Sequence, residues 1–84
     1  MSEESQPGIE LVAVQSKMAR VAVGWGVRDL AKAAHVSANT VSRLEAGDQL
    51  KPATVAAIRT ALEQAGVTFT NGDEPGVKLK RQPE

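Results

Sequence analysis

The chain contains no cysteine, so it forms no disulfide and offers no thiolate to a metal. That absence fits a reducing compartment, and the expected location is cytoplasmic. No apolar run is long enough to span a membrane, and the first residues lack the charged-then-apolar pattern of a secretory leader. Aromatic residues are nearly missing: Trp25 and Phe69 stand alone. Trp25 lies at helical spacing from Met18 and Val21 and is read as a core anchor. The single histidine, His35, has no Ser and Asp partners in a triad-like arrangement, and no Gly-rich phosphate-cradling motif is present. The acidic pair Asp73-Glu74 lacks the ligand spacing of a calcium loop. An enzyme is therefore not expected, and neither is a metal or cofactor.

Net charge is also missing, since ten basic residues balance ten acidic ones. Its distribution is uneven. Residues 1–16 carry Glu3, Glu4 and Glu10 without a base, for a net −3. Residues 17–59 set Lys17, Arg20, Arg28, Lys32, Arg43, Lys51 and Arg59 against Asp29, Glu45 and Asp48, for a net +4. Residues 60–84 return to −1. The middle of the chain is thus basic, and local charge sets the field that a phosphate meets.

What that basic segment does contain is the stretch Leu30 to Gly47, LAKAAHVSANTVSRLEAG. Leu30, Ala31 and Ala34 fall at helical spacing, with small residues where a second helix must approach closely. His35 occupies a turn position where the backbone is often left-handed, and histidine is among the tolerated residues there. Val36 plugs the corner, and Ser37 is a good N-cap for the next helix. Within that helix Val41 and Leu44 face inward. At about 100° per residue, Asn39, Ser42, Arg43 and Ala46 fall on the opposite face, and Gly47 ends the helix. Two short helices and a tight turn make a helix-turn-helix. Its outward groups match major-groove readout: asparagine pairs with adenine, arginine with guanine, and an alanine methyl can meet the methyl of thymine. Ala38, Asn39, Thr40 and Arg43 are the expected base readers.

On Arg20, Gly24-Trp25, Leu30-Ala31, Val36-Ser37, Thr40 to Arg43 and Leu44 to Gly47, the chain resembles the XRE family of Cro- and phage-repressor-like domains. The resemblance runs from about Lys17 to Gly66. It implies a mainly α fold: a compact four- to five-helix repressor-like domain, with the reading helix beginning near Ala38. It also implies a structural ion pair between Arg20 and Glu45. Two positions depart from the family pattern. A capping Ser, Thr or Asn followed by a phosphate-touching Gln is usual at the start of the second helix, and Gly26 and Val27 stand there instead. Arg28 and the free helix-start amides are left to hold that phosphate. Backbone contacts are expected from Arg28, Lys32, Ser37, Ser42 and Lys51.

Around this motif the chain divides into a polar tail over residues 1–8, the helix-turn-helix domain over 9–66 and a hairpin over 67–82. An amphipathic first helix is expected from about Glu10 to Val23, with Val14, Met18, Val21 and Ala22 on one face. Pro52 opens a last helix in which Val55, Ile58, Leu62 and Ala65 recur at helical spacing. Beyond Gly66, Val67 to Thr70 and Val77 to Lys80 alternate around a turn-rich segment, a C-terminal β-hairpin signal. Val67, Phe69, Val77 and Leu79 share one face, and a lone hairpin is marginal in water. A homodimer built around this tail and the last helix, with those four residues in the contact, is expected, and a hairpin folded back on its own domain is the alternative. Lys78, Lys80 and Arg81 guard a strand edge or touch the DNA backbone.

The expected partner is double-stranded DNA read as an inverted repeat by the homodimer, with RNA polymerase as a further candidate. Promoter occlusion and activation both fit that reading. The competing reading is an interaction module of the same fold that binds another protein, as an adaptor, antitoxin or anti-activator.

Overall fold

The computed structural model describes residues 7–70 and 76–79. Among these, four helices precede a two-stranded antiparallel hairpin: α1 (Pro7–Ala22), α2 (Val27–Ala34), α3 (Ala38–Glu45), α4 (Pro52–Gln64), β1 (Val67–Thr70) and β2 (Gly76–Leu79). Residues 1–6 of the expected tail, the turn from Asn71 to Pro75, and Lys80 and Arg81 lie outside the described residues. The first helix starts at Pro7, ahead of its expected start near Glu10.

Three helices end in the same way. Trp25 N–H donates to the Arg20 carbonyl (2.9 Å) and Gly24 N–H to Val21 (3.0 Å). After α2, Val36 N–H donates to Ala31 (2.9 Å) and His35 N–H to Lys32 (3.3 Å). After α3, Asp48 N–H donates to Arg43 (3.0 Å) and Gly47 N–H to Leu44 (3.0 Å). These are Schellman caps, which need a left-handed residue just past each helix. Gly24 (φ 77°), His35 (φ 61°) and Gly47 (φ 94°) supply it. The histidine turn foreseen from the sequence thus has the backbone it was assigned.

The core is a single cluster. Leu30, Ala31 and Ala34 of α2, Val41 and Leu44 of α3, and Ile58, Ala61 and Leu62 of α4 meet Ala19 of α1. Val67 and Phe69 of β1 join the same cluster. Strand register sets Val67 opposite Leu79 and Phe69 opposite Val77, so the four apolar residues do share a face. That face closes over the protein's own helices. Val67 and Phe69 are buried there, Val77 is half-buried, and only Leu79 stays largely exposed, at 52%. Val67 and Phe69 are thus covered within the chain itself, as in the fold-back alternative. The hairpin finds the cover it needs in its own domain, where the buried Gln15 side chain also donates to the Gly76 carbonyl (2.8 Å).

The first helix turns its apolar face outward. Val14, Met18 and Val21 are 62%, 43% and 61% exposed, and Ala22 is exposed beside them. The buried edge is Ala13, Ser16 and Ala19, with Gln15 covered as well. Small side chains let the neighbouring helices approach closely, and Ser16 and Arg20 reach a carboxylate that needs partners. Trp25 lies past the helix end, half-buried and packed against the core.

Candidate nucleic-acid interface

The second helix of the motif, α3, is held at both ends and along one edge. At its start, Ser37 has an extended backbone and its hydroxyl accepts from Thr40 N–H (3.1 Å). The Ser37 and Thr40 hydroxyls also bond each other at 2.8 Å. Along the inner edge, Val41 and Leu44 are fully buried. At its end, Glu45 forms a bidentate pair with Arg20: Nε to Oε2 at 2.9 Å and Nη2 to Oε1 at 3.0 Å. Arg20 Nη1 donates to the Trp25 carbonyl (3.1 Å) and the Ser16 hydroxyl to Glu45 Oε2 (3.3 Å). The two charged side chains are 13% and 9% exposed. Hydrogen bonding to Glu45 holds the Arg20 guanidinium above its ordinary range, against the opposing effect of burial. This network fixes α1 to the last turn of α3.

The outer face of α3 carries Asn39, Ser42 and Arg43, all exposed. Among the described residues the Asn39 amide has no hydrogen-bond partner in the chain. Arg43 is tethered: its Nε donates to Asp48 Oδ2 at 3.2 Å, with both side chains 53% exposed. Ala38 is half-buried and gives part of its methyl surface to the core. An open groove of about 530 Å³ runs beside the helix. It brings Ser37, Thr40, Arg43 and Lys51 together with Gln49 and Thr54. Arg28 and Lys32 lie exposed on α2 and do not line this groove.

The start of α2 compensates for its missing cap. Glycine has no side chain to accept from the helix, but Asp29 Oδ2 accepts from Gly26 N–H at 2.8 Å, half of a capping box. The extended Gly26 leaves the next amides of α2 facing outward, where an anion is favoured. Pairing also redistributes the basic charge of the middle segment. Arg20, Arg43 and Arg59 are each matched by a carboxylate, in Glu45, Asp48 and Glu63. Arg28, Lys32 and Lys51 make no ion pair among the described residues, so they carry most of the remaining field.

Two residues of this surface escaped the sequence reading. Gln49 and Asp48 sit in what looked like a plain loop; Asp48 bonds Arg43, and Gln49 lines the same groove. The only signal for Asp48 is its place directly after the terminating Gly47, which folds the chain back over the helix end.

A family model described as a helix-turn-helix domain matches residues 13–69, from α1 through β1. No curated protein and no solved structure matches the chain.

Proposed function

Because the chain belongs to the helix-turn-helix domain family, of the XRE/Cro-like type, we propose that it is a sequence-specific DNA-binding regulator of transcription. The observation that carries this reading is the division of α3. One edge is immobilised by Val41, Leu44 and Glu45, and the opposite face presents Asn39 and Arg43. A rigid helix offering one amide and one guanidinium suits the adenine and guanine edges of the major groove. Ser42 and Thr40 flank them, and Ala38 offers its remaining methyl surface to a thymine. Ser37, Arg28, Lys32 and Lys51 contact phosphates and set the register. The protein acts by binding rather than catalysis.

Replacing Arg43 with alanine is expected to cost about 1–3 kcal/mol of affinity for the best site. The loss is accompanied by relaxed preference at one base pair. Fold and melting behaviour stay unchanged, because the side chain is exposed. Titration of duplexes differing at single positions checks this, and an intact base profile would exclude Arg43 as a reader.

One reading helix covers only a few base pairs, so site selection calls for two. A homodimer with its helices about 34 Å apart reads an inverted repeat in adjacent turns of one groove. With Val67 and Phe69 committed to the core, the surface that suits a second copy is the outer stripe of α1. Val14, Met18 and Val21 fall there at one face of the helix, beside Val77, along an open apolar groove of about 600 Å³. A charge placed in that stripe, as in Met18→Glu, is expected to halve the mass measured by light scattering. The circular dichroism of the folded helices should persist. A wild type already monomeric at working concentration would remove the dimer from the proposal. Occlusion of promoter DNA is the simplest regulatory use, and contact with RNA polymerase is the other route open to such a dimer.

A further inference from the structure

We propose that Asp48 is the positioning residue for base readout by Arg43, an inference that rests on the DNA-reading assignment of α3. Three observations converge on it. The Asp48 backbone is fixed against the helix it serves, because its N–H donates to the carbonyl of Arg43 itself at 3.0 Å. Gly47 allows that return with a φ of 94°, which a side chain would strain. The Asp48 carboxylate then takes the Arg43 Nε–H at 3.2 Å.

The choice of nitrogen matters. A bond at Nε leaves the two terminal nitrogens of the guanidinium without an acceptor among the described residues. Those two nitrogens are the pair that grips N7 and O6 of guanine in the bidentate contact. A free arginine on a solvated helix face samples many rotamers, and only a few aim the fork at a base edge. Asp48 restricts that sampling before DNA arrives, so less freedom is lost on binding. Its charge has a second consequence. A carboxylate beside the only arginine on the reading face weakens attraction to phosphate, which every sequence offers equally. Recognition of guanine is retained while indiscriminate binding is penalised, and specificity is the difference of the two. The pair does little for stability, since both partners are half exposed and screened.

The test compares the wild type, Asp48→Ala and Asp48→Asn on the selected duplex, on its single-base variants and on unrelated duplex DNA. Asp48→Ala is expected to bind unrelated DNA several-fold more tightly. Its preference at the base read by Arg43 should drop by about fivefold or more, at the same position that Arg43→Ala relaxes. Asp48→Asn keeps an oxygen acceptor for Nε without the charge. It should share the tighter unrelated binding yet retain most of the base preference, a separation that a merely structural role would not produce. Unfolding midpoints should match the wild type in both variants. An unchanged base profile in Asp48→Ala overturns the positioning role while leaving the DNA reading in place. A wild type with no preferred duplex overturns both.

Discussion

Arg20→Ala is expected to destabilise the protein by about 3–5 kcal/mol, the range for breaking a buried ion pair by removing one partner. The cost arises less from lost attraction than from what stays behind. Glu45 is nearly buried, and without Arg20 its carboxylate keeps, among the described residues, only the Ser16 hydroxyl at 3.3 Å. The Trp25 carbonyl loses its donor as well. In a domain of this size each kcal/mol moves the melting temperature by about 4–8 °C, so the loss is easily seen by thermal or urea unfolding. Removing both charges together, as Arg20→Met with Glu45→Leu, should restore most of the stability, because the desolvation of two ions disappears with them. A single variant within about 0.5 kcal/mol of wild type, the ordinary range for exposed sites, would show that the network is not structural. Alkali is not a useful probe. The folded Arg20 value is raised, so its contribution is complete below the unfolded arginine range and is lost only above it.

Leu44→Ala should cost about 2–5 kcal/mol, as expected for truncating a fully buried leucine among packed neighbours. Leu44 belongs to the core cluster that also holds Leu30, Ile58 and Leu62, so little can collapse into the void. Its neighbour in sequence supplies the control. Arg43 is one residue away on the opposite face, and its truncation is expected to leave unfolding unchanged while weakening DNA binding. Leu44→Ala should do the reverse: at temperatures where the variant remains folded, the base profile persists. Chemical denaturation of both variants, followed by DNA titration of the folded fraction, separates the two faces of the helix. Equal loss of stability in both would mean that α3 does not present Arg43 to solvent.

The parts of this fold that were legible in the sequence are those decided within one or two helical turns. The left-handed His35, the Ser37 cap, the Val41–Leu44 edge and the Gly47 stop each follow from local backbone chemistry and spacing. Strand alternation likewise gave the shared face of Val67, Phe69, Val77 and Leu79. What the hairpin packs against was not legible, because residues 67–79 are equally compatible with their own helices and with a second copy. The orientation of α1 was not legible for a related reason. Val14, Met18 and Val21 form the more hydrophobic stripe, and periodicity favours them. The helix instead turns Ala13, Ser16, Ala19 and Arg20 inward, because Glu45 lies 25 residues further on and needs Arg20. A long-range electrostatic partner overrode a local apolar pattern. The outward stripe that results is the surface assigned to the second copy. Asp48 was hidden by the same kind of distance, its relation to Arg43 existing only once Gly47 has turned the chain.

The most direct test of DNA reading by α3 is selection of bound duplexes from a random pool at near-physiological salt, using the intact folded chain. The expected result is enrichment of an inverted repeat whose half-sites lie about one helical turn apart, with a base pair in each half whose preference disappears in Arg43→Ala. Recovery of no preferred sequence from folded protein would contradict the account and point to a protein partner on the same scaffold.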